Sequence, residues 1–326
     1  MDLHLANDVR DTSSIADDAS GGSASFIDRL RSAGLLIASE ARGVYGRGAV
    51  FQDIVERFDA LVMGLEGAVD AQRLSFPPVV ARGLIERMGY LESFPQLIGS
   101  VHGFRGTDAQ ARDMAAKAGA GEHWEEVLEP SDVMLLPAAC YPVYPTFSGL
   151  LPDRRRVVTV RGWCYRHEPS DEPTRLQSFQ MRELICAGSP DQVERWRDEW
   201  LERSLVLLRD LGLPAESDVA NDPFFGRAGR LLSATQREQK LKFEILCPVN
   251  AGKEPTAICS FNWHQEHFSA KYRIRQSNGD AAHTACLGFG LERIALAFLA
   301  THGLAVDHWP NTVRTRLWGS QVAPEK

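Results

Sequence analysis

No stretch of this sequence strings together the roughly 20 apolar residues that a membrane-spanning helix needs. Cysteine is sparse: 6 in 326 residues, with no C-x-x-C pair. That scatter does not read as a disulfide framework, and a reduced, cytoplasmic protein is expected. The opening residues, through "DTSSIADDASGGSAS", lack the apolar segment of a signal peptide, so residues 1–23 are expected to form a mobile tail. A phosphate-cradling GxxxxGK[ST] loop is missing, and so is any internal repeat or long linker. Basic excess is missing too. The chain carries 36 basic and 43 acidic residues, and residues 1–130 hold 12 basic against 20 acidic. Nucleic-acid modules carry a basic footprint because phosphate neutralisation drives their affinity, so this balance argues against tRNA or DNA as a partner.

What is present is ordinary globular composition, 44% hydrophobic and 24% charged, with length enough for a buried core. "FIDRLRSAGLLI" and "FQDIVERFDALVMGL" have helical apolar spacing, and "DAQARDMAAKAG" reads as a short surface helix. "PPVVARGLIERMGYLESFPQL" is punctuated by prolines, so helix and extended pieces should alternate there. From about residue 133 the texture turns to strands. "VMLLPAACYPVYPTF", "RRVVTVRGWCYRH", "LQSFQMRELICAG", "LKFEILCPV" and "TAICSFNWHQEHFSAKYRI" are rich in β-branched and aromatic residues between turns. The strands at 155–167 and 176–188 are joined by one polar loop, short enough to require an antiparallel pair. Ser189, Pro190 and Gln192 form a capping box ahead of a helix that runs to Gly212, and a last helix is expected from Leu291. The pattern predicts an α+β fold, a mainly antiparallel sheet flanked by helices, with residues 24–326 as one catalytic domain.

Two stretches carry chemistry. "YRHEPSDEPTRLQSFQMRE", residues 165 to 183, holds one Arg–Glu couple on each side of the polar loop: Arg166 with Glu168, and Arg182 with Glu183. On a strand, Arg166 and Glu168 would share a face. An arginine there suits a phosphate or carboxylate, and a carboxylate beside it could accept from an amino group such as that of adenine. By spacing alone the couple fits a surface ion pair equally well. In "CLGFGLERIALA", residues 286–297, Gly288 and Gly290 leave a bare patch of strand backbone where a flat ring could lie, and Arg293 opens the next helix. The third glycine of a dinucleotide fingerprint is absent, so a nucleotide here would have to bind on a sheet.

These stretches resemble the motifs of class II aminoacyl-tRNA synthetases. "YRHE" with its loop to Phe179 is similar to motif 2 and "GFGLERIALA" to motif 3; between them "KFEILCPV" and "TAICSFNWHQEHF" resemble paired strands of seryl-tRNA synthetases. More closely, nearly the whole chain after the tail resembles amino acid:[carrier protein] ligases. That family is similar to the catalytic core of the atypical zinc-dependent seryl-tRNA synthetases, without their tRNA-binding domain.

The resemblance implies a set of roles. Arg166 would hold the α-phosphate of ATP, Glu168 the adenine amino group, and Phe179 would stack on adenine. Arg175 and Leu176 would belong to the loop over the nucleotide, and Ala257, Ile258, Cys259 and Ser260 would lie along it. Arg293 would take the far phosphates. Cys140, Glu183 and Cys286 match the family's three zinc ligands; without the resemblance, a lone cysteine reads as a small buried apolar residue. Three protein ligands leave a tetrahedral position for the substrate's neutral α-amine. Glu183 would also contact the substrate and Lys242 would flank its pocket. Mg²⁺ would accompany ATP, but its family ligand aligns with Pro255, with Glu254 one step away. The implied reaction activates glycine or alanine as an aminoacyl-adenylate and passes it to the phosphopantetheine thiol of a carrier protein, in a homodimer. The rivals are a seryl-type tRNA synthetase and a catalytically inactive synthetase-derived binding module. The remaining candidates have plain readings: Cys164, Cys186, Cys247 and Cys259 as strand-core thiols, "HQEH" at 264–267 as no helical zinc pair, and Arg154–Arg156 as a solvated turn or a docking patch. Asp222 and Arg227 fall where the family's carrier contacts cluster.

Overall fold

The computed structural model describes residues 24–65, 67–68, 70–250 and 252–319, without the side chains of 227–232. The tail expected at 1–23 lies outside them. Seven strands form the central sheet: β1 Gln72–Leu74, β2 Arg156–Tyr165, β3 Ser178–Gly188, β4 Glu216–Val219, β5 Lys242–Cys247, β6 Thr256–Gln265 and β7 His283–Gly290. Their spatial order is β4-β5-β6-β7-β3-β2-β1. Every neighbouring pair is antiparallel except β1 with β2.

Strand pleating sorts the side chains. On β7, Ala285, Leu287 and Phe289 enter one core while Cys286 enters the other; on β3, Leu184 and Cys186 oppose Ile185 and Ala187. The helices covering the first core include α1 Ala49–Met63, α2 Pro190–Asp210, α3 Leu291–His302 and α4 Asn311–Trp318. Helix α2 begins as its sequence predicts. Ser189 Oγ accepts from the Gln192 amide and Gln192 Oε1 from the Ser189 amide, with Pro190 in the first turn; such a cap contributes about 1 kcal/mol. Its Trp196 and Trp200 are fully buried against the sheet. Among the described residues no helix is long and apolar enough to cross a membrane.

Three expectations change. In "VMLLPAACYPVYPTF" only the first residues are strand, the end of Leu128–Leu135; Pro137, Pro142 and Pro145 deny the rest a ladder, and it folds as turns and a 3-10 helix at Tyr144–Phe147. The second half of "TAICSFNWHQEHFSAKYRI" leaves β6 at Gln265 and becomes the helix His267–Tyr272. The apolar spacing of "FIDRLRSAGLLI" yields a helix only over Phe26–Ser32, after which Leu36–Ala38 is extended.

Candidate active site

The prolines that break the strand after Leu135 create a turn lying over β3. Its amides point at Glu183: Ala139 N donates to Oε1 at 2.9 Å and Cys140 N to Oε2 at 3.2 Å. β7 lies on the other side of β3, so Cys286 reaches the same spot from the pleat. Cys140, Glu183 and Cys286 are all buried, with their ligating atoms within 4.8 Å of one another. Burial, then the neighbouring Cys286, pushes the Glu183 carboxyl up to about 7. Burial also pushes the Cys140 thiol up; its hydrogen bond holds Cys286 low, helped by His264 and Asn262. The Tyr144 hydroxyl is buried beside Cys140, Cys286 and Glu183, and burial together with those charges pushes it well up. Two thiols and a carboxylate converging in a buried pocket form a donor set that suits zinc.

Along the same sheet face two guanidiniums are fixed by backbone carbonyls, Arg166 and Arg293, with the exposed Arg175 on the loop between β2 and β3. Arg166 lies just past β2, its Nε donating to the Pro137 carbonyl at 3.3 Å and its guanidinium 5.4 Å from the centroid of the Phe179 ring. Arg293 opens α3 and is anchored by two carbonyls, Thr174 O at 2.8 Å and Ala257 O at 3.0 Å. Burial, with the charges of Arg166 and Arg175 added, pushes Arg293 down to about 10. Crowded like charges of this kind are relieved by an anion.

The expected shared face of Arg166 and Glu168 does not arise from a strand. β2 ends at Tyr165, and the Glu168 amide turns back to donate to the Arg166 carbonyl at 2.8 Å. Glu168 instead meets Arg175 across the loop, 3.5 Å away. Leu176 is buried beneath that loop and Phe179 packs at the edge of the second core. On β6, Ser260 faces Gly288, whereas the Ile258 and Cys259 side chains are in the helical core, so that pair has only backbone to offer a nucleotide. The Gly288 patch is overlain by Met181: a methyl group added at Gly288 would lie 2.6 Å from its Cε.

Lys242 is buried and ion-paired, to Asp222 at 2.5 Å and Glu244 at 3.0 Å. Its strand neighbour in register is Asn262, which in turn pairs with Cys286, so Lys242 flanks the donor group by two strands. Asp222 is committed to Lys242 and Gln236 rather than free at a docking surface, and the Arg227 side chain lies outside the described residues. Arg182, alternating to the opposite face from Glu183, is bidentate on Asp59 at 2.6 and 2.9 Å. Glu254 and Pro255 are exposed on the loop before β6.

No family model matches the sequence. Curated relatives do. The chain is 45% identical over 274 residues to amino acid–[acyl-carrier-protein] ligase 1 of Bradyrhizobium diazoefficiens, covering 83% of this chain and 84% of the relative. Ligase 2 of the same organism is 43% identical over 287 residues, 86% of this chain and 84% of that one. The chain belongs to the amino acid–[acyl-carrier-protein] ligase family. The type-2 serine–tRNA ligase of Methanopyrus kandleri is more distant, 29% identical over 59% of this ligase and 39% of its own length. In fold, the ligase matches the M. kandleri seryl-tRNA synthetase crystallised with Aquifex aeolicus tRNASec, with TM-score 0.76 and 21% identity over 95% of this chain and 64% of that one. The ATP-complexed seryl-tRNA synthetase of Pyrococcus horikoshii gives TM-score 0.65 at 14% identity, over 93% and 64%. The fold is therefore that of a class II synthetase core.

Several residues beside the donor group are not singled out individually by the sequence. Tyr144 sits in the proline-broken turn and Asn262 inside a strand. His264, set aside with "HQEH", lies with Nε2 3.5 Å from Cys286 Sγ, while His267 begins the next helix. The remaining cysteines, Cys164, Cys186, Cys247 and Cys259, are buried free thiols of strands β2, β3, β5 and β6, as expected. Arg156 is held by the Thr146 carbonyl and Gln72, which leaves Arg154 and Arg155 as the exposed part of the basic turn.

Proposed function

We propose that this ligase activates a small amino acid, glycine or alanine, with ATP and transfers it to the phosphopantetheine thiol of a carrier protein. The observation that carries the reading is one sheet face presenting a buried Cys140–Glu183–Cys286 donor group beside the carbonyl-anchored guanidiniums of Arg166 and Arg293. Cys140, Glu183 and Cys286 would hold zinc. Bound there, zinc supplies an electrophilic position that takes an amine as its neutral form and so selects amino acids.

The chain's own residues do the rest. Arg166 binds the α-phosphate, Glu168 accepts from the adenine amino group, and Phe179 stacks on the ring. Arg175 and Leu176 close the loop over the nucleotide, and the β6 backbone from Ala257 to Ser260 runs along it. Arg293 draws the far phosphates back, with Mg²⁺ accompanying the ATP. A carboxylate must attack an anionic phosphorus, and fixed guanidiniums offset that repulsion as charge develops. The carboxylate oxygen bonds to the α-phosphorus as the bond to pyrophosphate breaks. The pantetheine sulfur, as thiolate, then attacks the carbonyl carbon and AMP leaves, giving the thioester. Glu183 and Lys242 border the amino-acid pocket, with Lys242 held in place by Asp222 and Glu244. The enzyme works as a homodimer in the reducing cytoplasm, where six free thiols persist.

The test is label partition. Purified protein, ATP·Mg²⁺, zinc and radiolabelled glycine or alanine are incubated with holo-carrier protein or with total tRNA. Label is expected in the carrier; label in tRNA and none in carrier would hand the assignment to a seryl-type synthetase.

A further inference from the structure

Two thiolates and a carboxylate around a divalent cation leave one surplus negative charge in a buried pocket, and uncompensated buried charge is costly. Metal sites offset it with N–H groups aimed at the ligand atoms, which also hold those atoms in place. β6 presents two such groups to one sulfur. Asn262 Nδ2 donates to Cys286 Sγ at 3.6 Å, and His264 Nε2 lies 3.5 Å from it.

His264 is held from behind. The fully buried Thr284 hydroxyl lies 3.2 Å from its Nδ1. A hydroxyl that donates to Nδ1 leaves the ring proton on Nε2, on the side of the sulfur. Tyr144 and Phe268 close on the ring edge-on, with centroids 5.7 and 4.8 Å away, and fix its plane. The mutually close donor group comprises Cys140, Glu183 and Cys286 and does not extend to His264, so the imidazole acts on a ligand instead of being one. Resting on the zinc reading above, we infer that His264 is a positioning residue of the metal site: tethered by Thr284, its Nε2–H bonds the Cys286 thiolate, orients it, and offsets the surplus charge.

The experiment measures zinc affinity by competition with a chromogenic chelator, and the thiolate-to-cobalt absorption band after cobalt substitution. It compares the wild type with His264→Leu, His264→Gln, Thr284→Val and Cys286→Ala. Loss of such an outer partner weakens metal binding by about 10- to 100-fold, which is the effect expected of His264→Leu, together with a shifted cobalt band. His264→Gln returns an N–H at similar reach and recovers most of the affinity. Thr284→Val weakens binding in the same direction. Wild-type affinity and an unchanged band in His264→Leu, with metal still lost in Cys286→Ala, would overturn the inference and leave the zinc site standing. A wild-type protein that takes up no zinc, or a Cys286→Ala protein that keeps it, removes the site and the inference together. Should His264→Leu fail to fold, Thr284→Val decides, and wild-type affinity there overturns the role given to His264.

Discussion

Arg293 is held by two carbonyls that belong to different pieces of chain, Thr174 in the loop after β2 and Ala257 on β6. A guanidinium so fixed needs no reorganisation when a polyphosphate arrives, and removing one fixed donor of this kind costs about 10²- to 10³-fold in rate. Arg293→Ala should lower amino-acid-dependent pyrophosphate exchange by that order while zinc content stays at the wild-type level; an unchanged exchange rate would remove its role. Asp222 makes a second residue-scale prediction. Burial works against its carboxylate, but Lys242 and Gln236 outweigh burial and hold it below the usual aspartate range. A carboxylate with a lowered folded pKa contributes stability above its unfolded pKa, and that contribution is lost as pH falls through the folded value. Asp222→Asn should therefore destabilise the protein at pH 7, by about 1–3 kcal/mol, since Lys242 loses one partner and keeps Glu244. The gap between wild type and variant should close below about pH 4, as read by urea unfolding across the pH range. A gap that widens in acid would show the pair to be assigned wrongly.

Elements meet behind the site through charge as well as through the hydrophobic core. Asp59 of α1 accepts from Arg161 of β2 and Arg182 of β3, while Arg47 and the Gln180 amide both bond Glu292 at the start of α3. The strand carrying Glu183 and the helix carrying Arg293 are thereby tied to each other and to α1. Asp59→Ala leaves two guanidiniums facing each other with little solvent and should cost about 3–5 kcal/mol in unfolding free energy. A loss below about 1 kcal/mol, typical of an exposed pair, would show the network to be incidental. Legibility at this scale followed local chemistry. The capping box at Ser189 and the hairpin of β2 and β3 could be read because neighbouring residues encode them. The turn holding Cys140 reads as strand in the sequence because its apolar texture hides three prolines' effect on the ladder. Arg166 and Glu168 were placed on a strand that stops one residue earlier.

For the whole molecule, the order of the motif-like stretches was enough to anticipate a class II synthetase core, since each stretch is a strand with its turn or helix. The donor group was legible only through family likeness. Cys140 and Glu183 are 43 residues apart in sequence, and only pairing of β3 with β7 brings Cys286 to them. His264 stands out in the sequence only as part of "HQEH", and Tyr144 not at all, because their placement comes from what β7 and the broken turn bring against them. On the function proposed above, Cys140, Glu183 and Cys286 would hold a zinc that takes the substrate amine, while Arg166 and Arg293 would bind the ATP. Amino-acid-dependent pyrophosphate exchange, measured on purified protein before and after zinc is stripped and restored, tests it most directly. Exchange with glycine or alanine should track zinc content, vanishing on removal and returning on addition. Undiminished exchange in the stripped protein, or none with any amino acid in the loaded one, would contradict it.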